Sequence, residues 1–242
     1  APILLIIHTL AGGSREPCSN NLAEAARRKG YRAIIFSNRG CSGVPFTSDR
    51  FYNVLWNDDN EAVYHYLKKK YEPSHFFVAG FSAGSCQAAN FDIQKGELLD
   101  GVALISHPYD IYVSAKTLSS GFGAYVYNPA MMGSLLHIIS KNQSIVSKYP
   151  DVMKSKILPD FDSSYTIKLY GYKDVHEYYD PMQLHRVVPK FKAPTLVLCS
   201  DNDPMTDTSL MPFDVIEKSD NCVFVQLAEG GHVSFVTGMK GE

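Results

Sequence analysis

Gly80-Phe81-Ser82-Ala83-Gly84 lies between an apolar run, Phe76–Ala79, and a helix-like run, Ala83–Ile93. A serine hydroxyl is a weak nucleophile at neutral pH. A serine used for acyl transfer therefore needs a base to take its proton and an acid to orient that base. G-x-S-x-G alone is a weak pattern. With a strand before it and a helix after it, it reads as a sharp elbow that lifts the hydroxyl clear of the turn. The two glycines then have a steric cause, because the positions two before and two after the serine come together in such a turn and a Cβ would collide.

On this scaffold the acid and the base follow the serine in chain order. The expected base is His232, in Glu229-Gly230-Gly231-His232-Val233, where glycines let a loop carry the imidazole over the sheet edge. His107, closing the strand after the elbow, is the rival. His8, His65, His75, His137, His176 and His185 are less suited, standing at strand ends, on a helix face or in the segment between the two halves of the sheet. The acid is sought in Ser200-Asp201-Asn202-Asp203-Pro204, after a strand whose carboxyl end shares the edge with Ser82. Asp203 is favoured because Pro204 fixes a turn that can aim its side chain inward. Asp201 is expected to hydrogen-bond loop amides, and Asp207 is a more distant alternative. An oxyanion would be received by the Ala83 N–H at the helix N-terminus and by a second amide, assigned to Leu10 in His8-Thr9-Leu10-Ala11-Gly12-Gly13-Ser14. Gly12-Gly13 could instead simply end the strand.

These residues need a sheet to bring them together. Short runs rich in Ile, Val, Leu or Phe, bounded by turn residues, predict strands at Ile3–Ile7, Arg32–Phe36, Phe76–Ala79, Val102–Ser106, Thr195–Cys199 and Val223–Leu227. Helices are predicted at Asn20–Lys29, Asp58–Lys70, Ala83–Ile93 and Asp207–Glu217, with Asn57 or Asp58 capping the second. Strands alternating with helices specify an α/β protein, a mostly parallel sheet covered on both faces. Nearly ninety residues separate the fourth and fifth strands, far more than a crossover requires. Residues 1–107 and 191–242 are therefore assigned to the core and 108–190 to a lid insertion. Within the lid, Met131, Met132, Leu135, Leu136 and Ile139 share one helical face, expected to pack on the body rather than on lipid.

The chain has 242 residues, 45% of them hydrophobic and 20% charged, enough for one large domain. A net charge of −2 without a dense basic block excludes nucleic acid as an expected partner. Five widely spaced cysteines without C-x-x-C argue against a disulfide framework or a zinc site, and a reducing, cytoplasmic compartment follows. Pro2–His8 is too short for a membrane span and lacks the basic flank of a signal peptide.

Six blocks in order resemble the α/β-hydrolases, and among them the YheT-like, embryogenesis-associated branch of esterases and lipases (AB hydrolase type 4). They are HTLAGGS at 8–14, FSNRGCSG at 36–43, GFSAGS at 80–85, FDSSYTIKLYGYKDVHEYY at 161–179, APTLVLCSDNDP at 193–204 and EGGHVSFV at 229–236. The resemblance implies the α/β-hydrolase fold, a Ser82, Asp203, His232 triad, and hydrolysis of carboxylic esters, often of acyl lipids. It also implies earlier strands ahead of Ala1 and, in eukaryotic members, an N-terminal membrane anchor. Two residues depart from the branch's pattern: Thr9 stands where a glycine is usual, and Ser85 replaces the second glycine after the elbow. Arg39-Gly40-Cys41-Ser42-Gly43 is expected to shape a loop near the pocket, with Cys41 not a nucleophile.

The function expected is therefore ester hydrolysis through an acyl-enzyme on Ser82, acting on a hydrophobic small-molecule or lipid ester and needing no metal or organic cofactor. Membrane contact would be peripheral, through the lid or an upstream anchor. The alternatives are a binding module that keeps the fold without catalysis, and an acyltransferase using the same three residues.

Overall fold

The structure is a computed structural model that describes residues 1–235; Val236, the last residue of the EGGHVSFV block, lies outside them. Its elements run β1 (Ile3–Ile7), α1 (Pro17–Arg28), β2 (Arg32–Phe36), α2 (Asp58–Tyr71), β3 (Phe76–Phe81), α3 (Ala83–Lys95) and β4 (Gly101–Ile105). A helical segment follows, led by α4 (Ile111–Leu118), α5 (Gly121–Tyr125) and α6 (Tyr127–Ser140), before β5 (Thr195–Ser200) and β6 (Cys222–Leu227). The strands form one sheet in the order β2-β1-β3-β4-β5-β6, and every neighbouring pair is parallel.

Alternation along β1 shows why the runs are continuously apolar. Ile3, Leu5 and Ile7 enter a core with Tyr64 and Leu67 of α2, and with Ala88 and Phe91 of α3. Ile6 faces the other way, with Phe81 and Ile105, against Cys18, Leu22 and Ala23 of α1. A parallel strand buried on both faces has no position for a polar side chain.

Helix ends follow local chemistry. Pro17 occupies the first turn of α1, where its missing N–H costs nothing, so the helix starts three residues before the expected Asn20. In α2, Asp58, Asp59 and Glu61 stand in the first turn and Lys68, Lys69 and Lys70 in the last, each complementing the helix dipole. Asn57 holds the cap position, but its side chain accepts from Asn60 Nδ2 at 3.1 Å instead of a backbone amide. The helix expected over Asp207–Glu217 does not form. A 3₁₀ turn at Thr208–Leu210 and a single turn at Phe213–Ile216 replace it, because Pro212 between them has no N–H to continue the ladder.

Between β4 and β5 the chain folds as short helices laid over the carboxyl end of the sheet. Met132, Leu135, Ile138 and Ile139 of α6 pack with Phe161 and Tyr165 against Phe51 and Tyr52 of the body. The predicted apolar stripe is thus turned inward. Polar straps reinforce the contact: Tyr165 Oη donates to the Asp49 carbonyl at 2.7 Å and accepts the Phe51 N–H at 2.9 Å, and Tyr170 Oη donates to the Phe51 carbonyl at 2.6 Å. Further along, Leu184, Val187 and Val188 enter the main core.

Two glycines set how closely β1, β3 and α3 approach. A Cβ on Gly80 would collide with the Gly84 carbonyl, and one on Gly84 would collide with the carbonyls of Ile7 and His8. These obstacles are backbone and cannot swing aside. Gly84→Ala is expected to destabilise the fold by about 3 kcal/mol or more, as overpacking against immovable atoms does; thermal melting followed by circular dichroism checks it.

Candidate active site

Four strand ends and their loops supply the site. β3 delivers Ser82 with φ 52° and ψ −118°, a region that side-chain-bearing residues seldom enter. The strained turn is held by the Ser82 N–H, which donates to the Ile105 carbonyl at 2.9 Å at the end of β4. The loop after β6 brings His232 over the same edge, with Nε2 2.8 Å from Ser82 Oγ. The loop after β5 brings Asp203, whose Oδ2 lies 2.8 Å from His232 Nδ1. A carboxylate can only accept, so Nδ1 carries the proton and Nε2 turns a lone pair to the serine hydroxyl. The Asp203 side chain is fully buried, and its other oxygen accepts the Met205 N–H at 2.8 Å.

The histidine loop is pinned by neighbours that the motif reading did not single out. Asn202 Oδ1 accepts the N–H groups of Gly230 and Gly231 at 3.0 and 2.8 Å. Ser200 Oγ donates to the Gly231 carbonyl at 2.6 Å, and Ser106 Oγ donates to the His232 carbonyl. The role of binding loop amides, expected of Asp201, thus belongs to Asn202. Asp201 faces β6 instead and accepts from Gln226 Nε2. Asp207 is turned away too, capping the 3₁₀ turn through the Ser209 N–H at 3.0 Å.

Leu10 and Ala83 flank Ser82 at the wall of a cavity, and neither backbone amide has a hydrogen-bond partner among the described residues. The Leu10 loop is held from three sides. His8, its pKa lowered by burial, accepts the Asn38 N–H on Nε2 at 3.1 Å and donates from Nδ1 to the Thr9 carbonyl at 2.6 Å. Tyr52 Oη accepts the Ala11 N–H at 3.1 Å, where Ala11 sits at φ 57°. Glu16 reaches back from the cap position of α1, accepting the Thr9 N–H at 3.2 Å on one oxygen and the Thr9 hydroxyl on the other. A Cβ on Gly12 would press on that carboxylate and make it swing aside. The threonine at position 9 is thus tied down rather than left loose.

The cavity beyond Ser82 holds about 420 Å³ and is largely apolar, with Phe51, Leu118, Met131, Phe161 and Met182 in its wall. Asp162 also reaches it. Burial pushes its carboxyl up to about 6, against the opposing pull of the Tyr179 and Thr166 hydroxyls that donate to it at 2.6 and 2.8 Å. Cys86 lines the cavity and Cys41 lies under the loop, both thiols pushed up to about 12 by burial, which leaves neither as a thiolate nucleophile.

The family model described as alpha/beta hydrolase fold matches residues 2–128, more than half of the chain. The chain belongs to the α/β-hydrolase fold family. A monoacylglycerol lipase of Saccharomyces cerevisiae is 27% identical over 99% of this chain and 56% of its own length. The putative esterase YheT of Escherichia coli is 26% identical over 98% of this chain and 71% of its own, which supports placement in the YheT-like branch. The solved structure of Est1E from Butyrivibrio proteoclasticus with ferulic acid bound superposes with a TM-score of 0.62 at 16% identity, covering 96% of this chain and 82% of that one, and shows the same fold. The chain spans under two thirds of the length of the first curated relatives that it matches.

Within this α/β-hydrolase, His107 is occupied elsewhere and does not reach Ser82. Its Nδ1 lies 2.9 Å from Ser85 Oγ and its Nε2 3.2 Å from the Met182 carbonyl, linking the elbow helix to the segment above it. Ser85 Oγ also lies against the Ser82 carbonyl. Burial lowers the His107 pKa to about 4. A folded-state value below the unfolded 6.5 means that the unfolded chain binds the proton more tightly. Stability from the neutral ring is then complete above pH 6.5 and is lost as pH falls towards 4. His107→Gln is expected to remove up to about 3 kcal/mol of that acid sensitivity; denaturant unfolding of both proteins between pH 4 and 7 measures it.

Proposed function

We propose that the chain is a serine hydrolase of carboxylic esters with Ser82 as nucleophile, His232 as general base and acid, and Asp203 as the group that orients the imidazole. The observation that carries this reading is the unbroken relay of two 2.8 Å hydrogen bonds from Ser82 Oγ through His232 to Asp203. It also weighs against a module that keeps the fold without catalysis, which has no need of an aligned relay.

Ser82 Oγ attacks the ester carbonyl carbon as its proton passes to His232 Nε2. Asp203 stabilises the imidazolium through Nδ1–H. Negative charge develops on the carbonyl oxygen, which the free amides of Leu10 and Ala83 receive. In well-studied enzymes the loss of one such donor costs about 2.7–4 kcal/mol of transition-state stabilisation. Collapse expels the alcohol, which takes the proton from Nε2. Water, deprotonated by His232, then attacks the acyl-enzyme; the bond to Ser82 Oγ breaks as Nε2 returns the proton to it, and the acid is released.

The apolar cavity fits a hydrophobic acyl chain, and a relative named monoacylglycerol lipase points the same way. Residues 108–190 act as the lid over it, supplying Leu118, Met131 and Phe161 to its wall. Replacement of the nucleophile, Ser82→Ala, is expected to lower kcat/KM on p-nitrophenyl esters by at least ~1000-fold with the circular dichroism spectrum unchanged. Retained turnover in that variant would refute the assignment.

A further inference from the structure

Residues 111–150 contain three lysines and neither aspartate nor glutamate, in a chain with 25 acidic residues. Between Lys116 and Lys141 there is no Asp, Glu, Lys or Arg. An uncharged stretch of that length ordinarily belongs in a core, yet part of this one is surface. Phe122 is 68% exposed, Tyr125 85% and Val126 44%, on α5 and the residue that joins it to α6. Large apolar and aromatic side chains grouped in this way mark an interaction surface.

The patch is continuous with the cavity. Phe122 packs edge-on against Tyr127 with ring centroids 5.7 Å apart. Tyr127, Ala130, Met131 and Ser134 recur at helical spacing in the cavity wall, while Ala130 and Ser134 are also exposed outside. Lys116, Lys141 and Lys148, the lysines of this segment, are exposed, and none is paired with a carboxylate among the described residues. Asn128 in α6 donates to the Lys156 carbonyl at 2.7 Å, and beside it Asp160 accepts the Lys156 and Ile157 amides at 3.1 and 3.3 Å.

We propose that this face is the protein's contact with an anionic lipid bilayer. Phe122, Tyr125 and Val126 enter the boundary between headgroups and acyl chains, and the three lysines meet anionic headgroups. Tyrosine and phenylalanine suit that boundary, where one end of a side chain is wet and the other apolar, and a segment whose only formal charges are lysines suits an anionic surface. A symmetric pairing of two copies through the same face would set like lysines against each other. The proposal rests on the reading of the cavity as an acyl site, because it has the cavity open onto the phase that holds the acyl chains.

Vesicle flotation with the Ser82→Ala protein tests it without turnover, using phosphatidylcholine vesicles with and without phosphatidylserine. Binding is expected to the phosphatidylserine vesicles and to weaken with salt. It should fall about tenfold or more in Phe122→Ser/Tyr125→Ser, and lose its salt dependence in Lys116→Gln/Lys141→Gln/Lys148→Gln. Neither phenyl ring belongs to the cavity wall. In protein that keeps Ser82, the aromatic pair of changes should therefore leave hydrolysis of dissolved p-nitrophenyl butyrate within about twofold of the unaltered chain. No binding to either vesicle would overturn the proposal. So would binding that both sets of changes leave intact, or a dimer that the aromatic changes dissociate. Vesicle binding by a chain that hydrolyses no ester would strike the enzymatic reading and leave the surface standing.

Discussion

The closeness of β1, β3 and α3 at the carboxyl edge of the sheet governs the rest of the site. Gly84 lies so near the Ile7 and His8 carbonyls, and Gly80 so near Gly84, that only hydrogen fits at either position. That contact forces Ser82 to φ 52° and ψ −118°, so the serine side chain leaves the turn instead of packing within it. It also carries the N-terminus of α3, with the Ala83 amide, against the loop that holds Leu10. One steric constraint thus places both the hydroxyl and two unpartnered amides beside it at the cavity wall.

Around this rigid centre the polar groups are arranged as supports. Asn202, Ser200 and Ser106 spend their hydrogen bonds on the backbone of the loop bearing His232, so the imidazole arrives already oriented. Glu16, Tyr52 and His8 do the same for the loop bearing Leu10. His107 and Ser85 join the elbow to the helical segment above. Most of the relay is removed from bulk water, and the Asp203 side chain entirely so. Removal from water strengthens each of these electrostatic contacts and raises the penalty for misplacing any member.

The sheet is legible in the sequence because each strand is an apolar run closed by turn residues. β1 and β2 match their expected bounds to the residue, and the others differ by one or two. The 207–217 segment misleads because its composition suits a helix while the single residue Pro212 vetoes it. At the site, Ser82, Asp203 and His232 could be singled out because the elbow fixes a scaffold and the scaffold fixes the chain order of the partners. The loop amides expected of Asp201 are bound by Asn202, since neighbouring residues in one turn differ only in the side that they face. Tyr52 and Glu16 had no local signal. Their partners lie 41 and 7 residues away across loops whose paths no short-range pattern records.

No single group suffices in this account: the reactivity of Ser82 comes from its link to His232. Peptide mapping by mass spectrometry after fluorophosphonate treatment tests that link directly. The account predicts one phosphonyl adduct, on Ser82, formed at a rate that collapses in His232→Ala while the fold persists. An adduct on another serine, or equally fast labelling of Ser82 without the imidazole, would contradict it.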